Sequence, residues 1–89
     1  MEKLKGVIYN SENGKEIGSA SFQDTFSAIE FMTGVVLDRM GHGDMENGGK
    51  GSLVNCREDI KAAFRSIENP MTVSTSYSYA DEVFILKRE

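Results

Sequence analysis

Apolar and polar positions change period twice along the chain. Residues 3–10, KLKGVIYN, and 15–23, KEIGSASFQ, are short runs around SENG, and Asn13-Gly14 tolerates the positive φ of a tight hairpin turn. They predict two antiparallel strands with two open registers. A two-residue loop places Glu12 opposite Lys15, whereas a three-residue loop with Gly14 in a bulge pairs Leu4 with Phe22 and Ile8 with Gly18.

From Asp24 the period lengthens. Phe26, Ile29, Met32, Val36 and Met40 recur every three or four residues, which predicts a helix over 25–40. Asp24 is placed to cap it, Ser27 and Glu30 offer a second capping frame, and Gly41 suits the position past its end. Only Glu30, Asp38 and Arg39 are charged within it, while Ala28, Phe31, Val35 and Leu37 put apolar groups on other faces. Such a helix is either central or covered by a partner, so Phe31 and Val35 are candidate contact residues. Gly34 within it costs about 1 kcal/mol against Ala and is read as tolerated.

A second helix is predicted over 56–68. Asn55 and Glu58 form a capping box, Ile60, Ala63, Phe64 and Ile67 make one apolar stripe, and Pro70 lies beyond the end. Arg57, Lys61, Arg65 and Glu68 belong to its solvated side.

After Pro70 the period falls to two. Val73, Thr75, Tyr77 and Tyr79 alternate with Thr72, Ser74, Ser76 and Ser78, and EVFILKRE follows a turn at Ala80-Asp81-Glu82, which predicts strands over 71–79 and 82–88. The order ββααββ implies an α+β two-layer sandwich: a four-stranded antiparallel sheet with two helices packed on one face, within one domain over 1–89. Tyr77 and Tyr79 fall on one face of their strand, as core or rim residues or as a partner contact. That strand lacks the proline and lysine that protect an edge, so at an edge it invites pairing with another chain.

Composition narrows the function classes. At 39% hydrophobic and 27% charged the chain is ordinary globular material, and its net charge of −4 disfavours generic nucleic-acid binding and anionic membrane surfaces. MEKLKGVIYN has no continuous apolar segment of a secretion signal, so the expected location is cytoplasmic. One cysteine and one histidine are too few for a structural zinc site or an internal disulfide, and no metal or cofactor is expected.

The stretch GHGDMENGGKGS, within a predicted Gly-rich loop over 41–54, holds five of the nine glycines and the lone His42. A phosphate loop requires glycine where Asp44 stands and a hydroxyl residue where Gly51 stands, so the motif fails twice. A looser anion site remains as the alternative reading: Gly48, Gly49, Lys50, Gly51, Ser52 and Arg57 as donors near a helix start, with His42 adjusting with pH. His42, Asp44 and Glu46 lack the spacing of a metal site. Cys56, at the predicted first position of the second helix beside Arg57, is read as a small half-buried residue rather than a nucleophile.

No catalytic constellation is visible, so the chain is read as non-enzymatic. The expected function is a small binding protein, a regulator or inhibitor working by protein contact or homo-oligomerisation through the sheet edge and the first helix; a phage or mobile-element inhibitor acting as a steric plug is a separate, third reading. Sequestration of a small nucleotide-like anion by residues 41–57 is the alternative.

Overall fold

The structure is a computed structural model that describes residues 3–47 and 50–89, with side chains at 3–40 and 57–89. Strands β1 (Leu4–Asn10) and β2 (Glu16–Phe22) form the first hairpin, and β3 (Ser74–Tyr79) and β4 (Glu82–Arg88) the last. The four strands make one antiparallel sheet in the order β2-β1-β4-β3. Helices α1 (Thr25–Asn47) and α2 (Lys50–Arg65) lie between the hairpins, followed by one 3-10 turn over Ser66–Glu68. The ββααββ, α+β architecture expected from the pattern is the one formed.

The first hairpin takes the register that pairs Leu4 with Phe22 and Ile8 with Gly18. Its extra residue, however, is Ile17 rather than Gly14, because Tyr9 pairs with Glu16 and leaves Ile17 without a partner opposite. Local polar chemistry explains the shift. The Asn10 side-chain oxygen accepts from the backbone N–H groups of Glu12 (2.9 Å) and Asn13 (3.3 Å), and the Asn13 oxygen from that of Lys15 (2.8 Å). These bonds hold a four-residue loop, Ser11 to Gly14, closed by the Gly14 N–H donating to the Asn10 carbonyl at 2.8 Å. Gly14, at φ 71, supplies the left-handed position that the loop needs.

The second hairpin turns through Ala80, at φ 55, and Asp81, whose carbonyl accepts from the Ser11 N–H at 2.7 Å. That bond ties the two hairpin ends together. At the opposite end the strand predicted from residue 71 begins at Ser74, because Asn69 organises a turn first: its side-chain oxygen accepts from the Met71 N–H (2.9 Å) and its carbonyl from that of Thr72 (2.9 Å). Met71 and Val73 are therefore largely exposed.

Asp24 caps α1 as its position predicts, accepting from the Ser27 N–H at 2.7 Å and from the Ser27 hydroxyl at 3.0 Å. The predicted loop over 41–54 is corrected. The backbone is helical through Asn47 and again from Lys50, so Asn55 and Cys56 lie inside α2 and Asn55 with Glu58 cannot form its capping box. Glycine costs about 1 kcal/mol in a helix but retains its N–H, and a helix already nucleated propagates through such residues where proline would stop it. The Arg39 guanidinium meets Glu82, at the end of the sheet, at 3.2 Å; the eight residues from there to Asn47 carry α1 about 12 Å further.

The core joins both layers: Leu4, Phe84 and Leu86 from the sheet, Ala28, Ile29, Met32, Val36 and Met40 from α1, and Ile60, Phe64 and Ile67 from α2 and its 3-10 turn. α1 lies over β1 and touches β4 and β2, while α2 lies against β3. The Thr75 hydroxyl donates to the Ala63 carbonyl at 2.5 Å and docks β3 on α2. Arg88 closes the far end, donating to the carbonyls of Ile67, of Thr72 (3.0 Å) and of Asn69 (3.4 Å). The sheet's open face carries Val7, 1% exposed between its cross-strand neighbours Ser19 and Ile85, with serines on both edge strands.

Two core features yield predictions. A Cβ on Gly6 would stand 2.4 Å from the Met32 Sδ, which is itself buried, so Gly6→Ala should lower unfolding free energy by about 1–3 kcal/mol. Combined with Met32→Ala, the loss should be smaller than the sum of the two single losses in a denaturant-melt cycle. Thr33 is fully buried and its hydroxyl has no hydrogen-bond partner among the described residues, so Thr33→Val should stabilise the fold by about 1 kcal/mol, read by calorimetry as a Tm higher by roughly 4–8 °C.

Candidate interaction surface

Of the anion-site residues from the sequence, His42, Lys50, Gly51, Ser52 and Arg57 lie on helical backbone rather than in a loop. Gly48 and Gly49 lie outside the described residues, as do the side chains of His42, Lys50, Gly51 and Ser52, whose backbone is helical. Lys50 opens α2 and Arg57 follows seven residues later, about 10 Å along the helix, exposed to solvent. Cys56 is the seventh residue of α2, beyond the first turn where the helix dipole would favour a thiolate. Among the described residues no three His, Cys, Asp or Glu side chains converge on a point that could hold a metal ion.

Tyr77 and Tyr79 are half-buried on the helix-covered side of β3 and pack against the core, with the serines between them facing out. Their rings fill the rim where α2 meets the sheet, so they are not displayed for a partner. β3 is nonetheless an edge strand, and α2, which lies against it, exposes Arg57, Glu58, Asp59 and Arg65 to solvent.

The opposite edge differs. β2, EIGSASF, carries one charge, Glu16, and its regular part beyond the Ile17 bulge, Gly18–Phe22, carries none. Above it runs the side of α1 that holds Phe31, 49% exposed, and half-buried Val35. The Phe31 ring leans on Phe22 of β2, centroids 5.2 Å apart and tilted by 54°, a favourable edge-on arrangement. Between helix and strand lies a cleft of about 200 Å³, with Gly6, Gly18 and Ala20 as its floor and Ile8, Phe31, Met32 and Val35 as its walls. Small floor residues create it: a Cβ added at Gly18 would meet nothing within 4 Å.

A second cleft, between the start of α1 and the end of α2, is lined by charges that answer one another. Lys61 meets Glu30 at 2.7 Å across the two helices, and Arg65 lies 3.9 Å from Glu68. Exposed Phe26 is its main apolar feature. It offers less uncompensated chemistry than the β2 side.

Of the contact residues predicted from sequence, Phe31 and Val35 thus lie together beside a strand edge, while Tyr77 and Tyr79 lie across the sheet from them. Gly18 and Ala20 were missed. The signal available was the uncharged run between Glu16 and Asp24, which marks an unprotected edge only once β2 is known to be outermost. The described part of the chain contains no helix long and apolar enough to cross a membrane. No family model matches the chain, and comparisons with curated proteins and with solved structures find no match.

Proposed function

We propose that the chain is a non-enzymatic protein-binding module whose contact surface is the β2 edge together with the Phe31–Val35 side of α1. The observation that carries this reading is the coincidence of two incomplete structures: an edge strand whose regular part, Gly18–Phe22, is uncharged, and an aromatic left half in water directly above it. An added strand satisfies the first through main-chain hydrogen bonds while its side chains cover the second. A module of this design acts as a regulator or inhibitor by occupying a partner's surface. The cytoplasm is its proposed setting, where a single unbridged cysteine is ordinary.

The anion-binding alternative is less well supported, because Lys50 and Arg57 are spread along a helix rather than converging. Native mass spectrometry of the protein gently purified from its host separates the two. Wild type and the Lys50→Ala/Arg57→Ala variant should both retain a protein partner, either a second copy or another chain. Phe31→Glu, folded by circular dichroism, should lose it. A nucleotide-sized mass on wild type that disappears from the Lys50→Ala/Arg57→Ala variant would overturn the protein-contact reading.

A further inference from the structure

Resting on that reading, we infer that the occupant of the β2 edge is a second copy of this chain, paired antiparallel through Gly18–Phe22 about a twofold axis at Ala20. The Ile17 bulge limits the regular edge to these five residues, and their midpoint is Ala20. Pairing the segment with itself sets Gly18 against Phe22, Ser19 against Ser21 and Ala20 against Ala20. Within Gly18–Phe22 no charge faces a like charge, although past its ends the same register brings Glu16 of each copy toward Asp24 of the other.

The register is complementary in shape. Gly18, Ala20 and Phe22 face the helix side, in register with Ile8, Gly6 and Leu4. The twofold axis therefore places the Phe22 ring of each copy beside the other's Gly18, where there is open space and the cleft floor is bare. Each copy adds a ring to the side of the other's cleft that Gly18 leaves open. Cross-strand neighbours approach to about 5 Å, close enough for that ring to touch Val35 and Phe31 above.

The helices fit the same geometry. Because α1 lies over β1, the two α1 helices of the pair are separated by three strand spacings, about 14 Å. Directly packed helices approach to 8–10 Å, so a gap remains that large side chains must fill. Phe31 and Val35, on that side of each helix and at the level of Gly18 to Ala20, are the groups placed to fill it. The product is a continuous eight-stranded sheet with four helices on one face. The β3 edge differs in that its inward side chains are Thr75, Tyr77 and Tyr79, where β2 has the small Gly18 and Ala20.

Sedimentation velocity over a concentration series, with two charge designs on the open face, tests this. Ser19 and Ser21 are exposed and oppose each other across the proposed axis, so substituting them should spare the fold of each copy. Ser19→Glu with Ser21→Glu sets like charges opposite each other twice across the axis, while Glu at 21 faces Lys5 within its own copy, and should raise the dimer Kd about tenfold or more. Ser19→Lys with Ser21→Glu sets opposite charges there and should keep the dimer at wild-type strength. A monomeric wild type overturns the second-copy inference but leaves the protein-contact reading standing if Phe31→Glu still removes a different partner. A wild-type dimer that both charge designs leave intact overturns the β2 register.

Discussion

The depth at which α1 rests on the sheet is the constraint from which the other features follow. At Gly6, in the middle of β1, the absence of a side chain lets the Met32 sulfur occupy the space where a Cβ would stand. Met32 can then bury fully, and Ile29, Val36 and Met40 along the same helix meet the same core. A helix packed this low overhangs β2 on one side and leaves room for α2 over β3 on the other. Its remaining apolar side, Phe31 and Val35, comes to rest at the sheet edge rather than above the middle of the sheet.

The two ends of the sheet are tied by polar contacts that local sequence could not have arranged. At one end the Ser11 N–H and hydroxyl both donate to the Asp81 carbonyl, joining loops seventy residues apart. At the other, Arg88 gathers carbonyls of the segment leaving α2 and so aligns the entry to β3. Hydrogen bonds from a charged guanidinium are stronger than neutral ones, and they satisfy carbonyls that a helix end leaves without an internal partner. With the sheet held at both ends, its edges are presented as rigid surfaces.

Those edges are unequal although β3 and the regular part of β2, Gly18–Phe22, are both free of charge. β3 is backed by tyrosines that already have a place in the core, whereas β2 is floored by glycine and alanine and topped by a half-exposed phenylalanine. Apolar surface beside unpaired backbone groups is what strand addition removes from water, and a strand that carries both a gap and the ring to fill a gap is complementary to itself. Function on this reading is carried by an edge, and the chemistry of titratable groups has little part in it.

Much of the fold was legible from period alone. The alternation after Pro70, the three-and-four spacing from Ile29 to Met40 and the Asp24 cap depend on neighbours within a turn or two, and side-chain burial on one face enforces them locally, whereas Phe26, which opens that spacing, stays exposed. Phe31 and Val35 were legible as surplus apolar residues for the same reason. Gly41, Gly43 and Gly51 misled, because their cost to a helix is small and a helix already nucleated propagates through them. The sequence by itself therefore determined the elements, their order and which face of each is apolar, since these follow from backbone geometry and the nearest neighbours. Only the tertiary structure decided the strand order, the bulge at Ile17 and the meeting of Phe31 with the bare floor of β2, because each depends on contacts between segments distant along the chain, whose relative placement is set by how the whole core closes.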